Sequence, residues 1–401
     1  MSTLGVLAQG LSRFAYAAVV GRALGADVLS AVNVAFAASI LLSLAWPTAA
    51  GNAAAAFARP GHGGERMRRR LQRSLLVSLV PIGGAAALLA VALGGSVLDA
   101  LTLVALTAGW SGYIYGRGLL MGAGRAASAA LWDIVTAVLA IGLLAVVVLT
   151  GAELFALVPA VVGYGTFAVA AAVIARRALR DDVSAEPGAP RVGSFIVWNS
   201  LALIATNGLM QLSMVIAYAF DSPAHAGQFA AALSLATPVS MISQAVTLAL
   251  LPRFGAWAAL PGPEQRLLFV RALAAVGGVL AVGCALVALL MPWVLPLFFG
   301  AGFGPAVALA QLLMVGVFGF SVSVLVVGYL SATGRARRAT LLSGVSSLVG
   351  VTCMVWVALA ADGVSGALWG VSVGMTLSAA ALCAAAMARR ASTGPGGAHR
   401  L

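Results

Sequence analysis

The feature that most constrains this chain is a series of apolar segments separated by short polar connections. A helix needs about 20 mostly apolar residues to cross a bilayer. The residues are 62% hydrophobic and 8% charged, whereas a soluble domain is about half apolar and about a quarter charged. A water-soluble fold of this length could not bury so much apolar surface. The sequence therefore predicts an all-α polytopic membrane protein.

Twelve segments are long enough to be transmembrane helices. We predict them at 3–23, 28–57, 74–94, 97–119, 128–150, 154–175, 195–219, 226–251, 270–298, 305–329, 339–361 and 365–388. Charge, Pro and Gly interrupt the pattern at "DDVSAEPGAP", which marks a linker. The predicted domains are an N-terminal six-helix lobe at 1–178, a cytoplasmic linker at 179–193, a C-terminal six-helix lobe at 194–388 and a cytoplasmic tail at 389–401.

Arginine-rich and arginine-poor connections alternate along the chain. All 23 basic residues are Arg, and 21 of them lie on one side of the predicted helices. The positive-inside rule assigns that side to the cytoplasm. We therefore predict a multi-pass protein of the cytoplasmic (inner) membrane with both termini inside. Because the arginines follow topology, the net charge of +12 does not indicate nucleic-acid binding. The run "RMRRRLQR" at 66–73 is either topogenic or an anionic-lipid site.

The two predicted lobes repeat one pattern. Asp27 and Asp221 are 194 positions apart, and Arg125 and Arg335, each after a small-residue turn ending in Gly, are 210 apart. Each repeat contains six predicted spans. Because an even number of crossings returns the chain to the side from which it started, both repeats begin on the same side of the membrane. The lobes are therefore expected to be pseudo-symmetric, related by an axis along the membrane normal. Two such lobes are typical of transporters.

Polar faces on the first and seventh helices predict a cavity between the lobes. Gln9, Arg13 and Tyr16 share one helical face because of their spacing, and Arg13 aligns with Asn207 in the repeat. Arginine suits phosphate or pyrophosphate because its planar fork makes bidentate bonds. The alternative is that Arg13 extends to the cytoplasmic interface. The predicted substrate cavity comprises Gln9, Arg13, Tyr16, Asn52, Asn207, Gln211, Tyr218 and Gln244.

Asp133 is a second charge within a predicted span, and its counterpart in the repeat is Ser343. Such a residue is either a proton or cation site or a partner for a neighbouring helix. The sequence contains no HExxH or Walker motif. We therefore expect a transporter, with no catalytic residues, cofactor or bound metal.

Several segments resemble one family of exporters. They are "VVGRALGADVLSAVNVAFA" (19–37), "LPRFGAW" (251–257), "LPLFFGAGFGPAVALAQLLMVG" (295–316), "YLSATGRARRATLLSGV" (329–345) and "ADGVSGALWG" (361–370). They are similar to segments of the multidrug/oligosaccharidyl-lipid/polysaccharide exporter (MOP) superfamily, and most of all to its polysaccharide flippase branch.

The resemblance implies a function. A protein of this branch would flip a polyprenyl-pyrophosphate-linked oligosaccharide or polysaccharide precursor across the membrane by alternating access. Its partners would be membrane lipids, the lipid-linked glycan, H⁺ or Na⁺, and glycan polymerases or glycosyltransferases. Many relatives carry an Asp in the seventh helix, and the corresponding segment here, "TNGLMQL" (206–212), has none. The alternative is an ion-coupled drug or small-molecule antiporter of the same superfamily.

Overall fold

A computed structural model of the chain describes residues 2–60, 64–179 and 192–388. Every regular element in these ranges is helical. The helices are α1 (Ser2–Leu44), α2 (Pro47–Phe57), α3 (Gly64–Ala92), α4 (Val97–Gly122), α5 (Ala126–Thr150), α6 (Val158–Ala178), α7 (Val192–Leu203), α8 (Leu209–Ala219), α9 (Pro223–Trp257), α10 (Gly262–Phe299), α11 (Ala306–Ala332), α12 (Ala336–Ala360) and α13 (Gly363–Met387). Short 3₁₀ turns lie at Glu153–Phe155 and Ala301–Phe303, and a π turn at Ile204–Gly208 joins α7 to α8.

The helices account for the twelve predicted crossings. Eleven helical segments in the described ranges are long and apolar enough to span a membrane, and the first of them is Gln9–Leu44. This segment contains two crossings, because Gly25 interrupts it with φ 87° and ψ −178°. A residue with a side chain rarely adopts such a positive φ. Large apolar side chains such as Leu149 (85% exposed) and Val97 (78% exposed) cover the outer surface, as expected of a lipid-facing surface.

Two predicted spans are divided in the structure. The span predicted at 28–57 breaks after Leu44, and α2 begins at Pro47. Proline suits the first turn of a helix, where its missing N–H leaves no hydrogen bond unmade. The seventh span contains the π turn, where the Ser347 hydroxyl donates to the carbonyl of Ala205 at 2.5 Å. The side chain of α12 thus satisfies a carbonyl in the widened turn.

The two halves share one backbone joint. Gly124 and Gly334 have φ values of 71° and 75° and precede Arg125 and Arg335. The amide of each arginine donates to the carbonyl five residues earlier, at 2.8 and 2.7 Å respectively. This is the hydrogen-bond pattern of a left-handed helix cap. The same local fold at equivalent positions shows that the sequence repeat is also a structural repeat.

The halves contact each other on both sides of the molecule. Toward the arginine-rich connections, the side-chain amide of Asn52 on α2 donates to the Asn199 carbonyl oxygen on α7, at 2.8 Å. On the opposite side, α9 packs closely on the kink of α1. A Cβ added at Gly227 would overlap the carbonyl oxygen of Ala26.

The lobe bounds themselves remain a prediction. α6 ends at Ala178 and α7 begins at Val192. Most of the predicted linker at 179–193 and the whole predicted tail at 389–401 lie outside the described residues. The predicted cytoplasmic position of both termini also remains a prediction.

Candidate functional site

A cavity of about 270 Å³ lies between the two halves. Its walls come mainly from α1, α4, α9 and the π turn with α8, and α2, α7 and α11 each contribute one residue. The polar side chains that line it are Gln9, Arg13, Asn33, Thr48, Trp110, Arg117, Asn207, Gln211, Ser234, Thr237, Ser240 and Gln244. The described lining thus has two guanidinium groups and no carboxylate. We call this space the central cavity.

Aromatic faces hold Arg13 in the central cavity. Its Cζ lies 5.4 Å from the ring centroid of Phe36 and 5.9 Å from that of Trp110. Both distances allow cation–π attraction. Within the described part of the chain no carboxylate pairs with this guanidinium. Arg13 therefore carries a positioned positive charge in the central cavity, where the first of its two sequence interpretations places it. That this charge binds a ligand remains a prediction.

A smaller pocket of about 30 Å³, which we call the side pocket, adjoins the central cavity within the N-terminal half. Gln9, Arg13 and Phe36 line both spaces, so Arg13 lies at their junction. The volume suffices for about one or two water molecules. The side pocket also contains Tyr16, Tyr113, Asp133, Thr136 and Tyr164.

Asp133 is the carboxylate of the side pocket. Its Oδ1 accepts the Tyr113 hydroxyl at 2.8 Å, and its Oδ2 accepts Nε of Arg117 at 3.2 Å. The exposed fraction of the Asp133 side chain is 1%, and that of Arg117 is 16%. Since both partners lie on α4, Asp133 joins α5 to α4 by a buried ion pair. Asp133 is thus bonded to a neighbouring helix, as in one of its two sequence interpretations. The same geometry is compatible with a proton-binding role.

Sequence reasoning missed Arg117, which it counted as one of the cytoplasmic arginines. The structure places this residue within α4, lining the central cavity and paired with Asp133. A signal was present in the spacing. Arg117 and Asp133 each lie eight residues from Arg125, the joint of the α4–α5 hairpin. Residues equidistant from the turn of an antiparallel helical hairpin lie side by side.

Five of the eight predicted cavity residues line the central cavity. They are Gln9, Arg13, Asn207, Gln211 and Gln244. Asn207 lies in the π turn, where its side-chain amide donates to the Thr206 hydroxyl at 2.9 Å. π turns are frequent at functional sites because they shift side chains out of the regular helical register. The sequence pattern contains no indication of this turn.

The other three predicted residues lie elsewhere. Tyr16 is buried in the side pocket, and its hydroxyl donates to the carbonyl of Ala156 at 2.5 Å. Asn52 joins the halves through Asn199 instead of facing the central cavity. Tyr218 lines a separate space of about 150 Å³. It shares the face of Asn207 but lies eleven residues further on, roughly 16 Å along the helix, beyond the central cavity.

A second polar cluster lies at the end of the C-terminal half. Nδ1 of His225 is 3.0 Å from Oδ2 of Asp221, and Asp362 lies beside them. The Asp362 side chain caps α13 by accepting the amide of Ser365 at 2.7 Å. Partial burial alone would raise the pKa of Asp362, but the hydrogen bonds from Ser365 and the charge of His225 hold it below its ordinary value. Asp221 accepts the amide of Val364 at 3.1 Å, so both carboxylates serve as caps.

Comparisons with known proteins bear on the fold. No protein-family model matches the sequence, and no curated protein matches it either. An inward-facing multidrug resistance MATE family transporter of the MOP superfamily is 16% identical with a TM-score of 0.66, covering 95% of this chain and 92% of that chain. The MATE multidrug transporter DinF-BH is 18% identical with a TM-score of 0.65, covering 96% and 92% respectively.

A third solved structure is a MOP superfamily transporter from Pyrococcus furiosus. It is 17% identical with a TM-score of 0.55, covering 96% of this chain and 92% of that chain. These likenesses agree with the fold that the sequence resemblance implies, and they do not distinguish one branch of exporters from another. At such identities the likeness concerns the fold, and the chain has the twelve-helix fold of the MATE transporters of the MOP superfamily.

Proposed function

We propose that this protein is a transporter that flips a polyprenyl-pyrophosphate-linked oligosaccharide or polysaccharide precursor across the cytoplasmic membrane by alternating access. The observation that carries the proposal is the polarity of the central cavity. Its described lining has Arg13 and Arg117 and no carboxylate. A desolvated cationic cavity of this kind favours an anionic group, and guanidinium forks match phosphate oxygens.

The remaining lining fits the rest of such a substrate. The side-chain amides of Asn33, Asn207, Gln211 and Gln244 offer donors and acceptors to sugar hydroxyls. The polyprenyl tail would stay in the bilayer and enter through a lateral gap between the halves. The volume of about 270 Å³ lies just below the range of ligand pockets, which is about 300–1,000 Å³. A glycan of several sugars therefore requires the halves to move apart.

Asp133 is the proposed coupling site for an ion. It is buried in the side pocket that meets the central cavity at Arg13. A proton is the ion that suits it, because a proton needs one carboxylate oxygen, whereas Na⁺ needs several oxygen ligands. Glycosyltransferases and a glycan polymerase would supply and consume the lipid-linked substrate.

A second candidate function is ion-coupled antiport of drugs or other small molecules. Two solved structures with this fold are described as multidrug transporters. The Pyrococcus furiosus protein is described as having a binding pocket of reverse polarity that suggests a different function. The guanidinium groups in the central cavity favour the flippase over a carrier of cationic drugs, since a cation in this cavity would be repelled.

The test is reconstitution of the full chain into liposomes. A fluorescent polyprenyl-pyrophosphate-linked glycan is placed in both leaflets, and a membrane-impermeant quencher measures the fraction that changes leaflet. Exchange by the parent protein and its loss in Arg13→Gln are expected. Arg22→Gln is the matched control, because Arg22 is exposed and lies outside the central cavity. Absence of exchange together with efflux of a cationic dye driven by a pH gradient would instead establish the antiporter.

A further inference from the structure

We propose that the Arg117–Asp133 pair makes proton uptake and anion binding cooperative, so that a proton and an anionic group occupy the transporter together. The inference rests on the proposed function, since it concerns an anion in the central cavity. In this scheme the proton binds Oδ2 of Asp133, the oxygen that accepts Nε of Arg117 at 3.2 Å. The proton comes from bulk solvent.

The argument begins with the charges around the central cavity. Arg13 and Arg117 both line it, and Asp133 lies behind Arg117 in the side pocket. While Asp133 is ionised, its charge offsets that of Arg117, and the three groups carry one net positive charge. Protonation of Asp133 leaves two. An anion between the guanidinium groups is therefore held more tightly when the carboxyl is neutral.

Asp133 is the one carboxyl group among the described ionisable groups that face each other in the side pocket. From α4 these are Tyr113 and Arg117, from α6 Tyr164, and from α1 Arg13 and Tyr16. Phenols and guanidinium groups keep their charge across neutral pH, whereas a carboxyl group can be shifted into that range by its surroundings. The hydroxyl of Tyr113 donates to Oδ1 at 2.8 Å, so this bond persists when Oδ2 takes the proton.

Thermodynamic linkage makes the coupling between proton binding and anion binding reciprocal. If protonation of Asp133 strengthens anion binding, then anion binding must promote protonation by the same factor, which for coupled sites is usually about 5- to 150-fold. A carrier of cations would show the opposite sign, because a cation and a proton would compete for Asp133. The sign of the coupling therefore separates cotransport of a proton with an anion from drug–proton antiport.

The experiment is isothermal titration of inorganic pyrophosphate into the full chain in nanodiscs, in two buffers that differ in ionisation enthalpy. Asp133→Asn is titrated in parallel, because it keeps the side-chain shape and accounts for the protons that pyrophosphate itself exchanges. We expect the parent to take up more protons per bound pyrophosphate than Asp133→Asn. Its affinity should also rise more steeply as the pH falls. Equal uptake by the two proteins, or net release by the parent, would overturn the proposal.

Two further variants assign the coupling to the pair. Arg117→Gln should bind pyrophosphate more weakly and lose the excess proton uptake. Arg13→Gln should also bind pyrophosphate more weakly but retain the excess proton uptake. If Asp133→Asn fails to fold, infrared difference spectra of the parent serve instead. The carbonyl stretch of a neutral carboxylic acid should appear when pyrophosphate binds, and its absence would contradict the proposal. If pyrophosphate binds without excess proton uptake, the proposed coupling is wrong and the proposed function is unaffected. If pyrophosphate and the lipid-linked glycan both fail to bind, the proposed function fails as well.

Discussion

Replacing Arg13 by Gln should weaken binding of a pyrophosphate-bearing lipid without unfolding the protein. The guanidinium lies in the central cavity against Phe36 and Trp110, at 5.4 and 5.9 Å from the ring centroids, and within the described residues it pairs with no carboxylate. Glutamine keeps an amide donor and much of the volume but loses the charge. Folding therefore loses little more than two cation–π contacts, whereas an anionic ligand loses its positioned counter-charge.

The magnitude follows from Coulomb's law. Two unit charges about 4 Å apart attract by about 4 kcal/mol at an effective dielectric constant of about 20. Water in the central cavity and the donor kept by glutamine reduce the loss to about 2 kcal/mol. Since about 1.4 kcal/mol is tenfold in affinity, the Kd should rise by roughly 30-fold.

Fluorescence of the tryptophans can follow the titration, because Trp110 lies beside Arg13. Arg22→Gln is again the control: its guanidinium donates to the carbonyl of Leu297 at an exposed position. The assay should show a raised Kd for Arg13→Gln alone, with unchanged thermal stability. An unchanged Kd, or an equal rise in both variants, would refute the assignment of Arg13 to the ligand.

Three further predictions concern packing, the contact between the halves and helix capping. Gly118→Val should lower the melting temperature, because a Cβ there would overlap a backbone carbonyl oxygen of α2. Such overpacking costs about 1–3 kcal/mol, whereas Gly142→Ala, with nothing within 4 Å, should be neutral. Asn52→Ala and Asn199→Ala should each increase, by the same amount, the population with longer spin-label distances across the arginine-rich side. The double variant should give no further increase, because all three variants lose the same hydrogen bond of about 0.5–1.5 kcal/mol. Asp362→Ala should cost about 1 kcal/mol at pH 7 through the lost cap. Because the pKa of Asp362 is lowered in the folded protein, the difference in unfolding free energy should shrink as the pH falls from about 4 through the lowered folded-state pKa, where the carboxylate takes up its proton.

The fold was largely accessible from the sequence because membrane helices have a strong composition signal. The twelve crossings and the paired joints at Arg125 and Arg335 followed from apolar length and spacing. The π turn at Ile204–Gly208 did not follow. It depends on how a neighbouring helix satisfies a local carbonyl group, as Ser347 does for Ala205, and a single segment carries no information about its neighbours.

The candidate site was accessible in part. Helical spacing correctly identified the polar face of the first helix, because a period of 3.6 residues fixes which side chains share a face. Spacing does not fix depth, so Tyr218 was assigned to the central cavity although it lies beyond it. Arg117 was missed because an arginine near a helix end serves equally well as a topological marker. Its hairpin partner Asp133 distinguishes the two roles.

The amide pair of Asn52 and Asn199 has a consequence for how the molecule could respond to its surroundings. Both side chains are uncharged at every pH a cell encounters, so neither acid, salt nor membrane voltage acts on this contact directly. The charged groups Arg13, Arg117 and Asp133 lie on other helices. Under the proposed function, the groups that respond to acid thus lie apart from this contact. Any acid sensitivity of the Asn52–Asn199 contact must then be transmitted mechanically, through the packing between α1, α4 and α2.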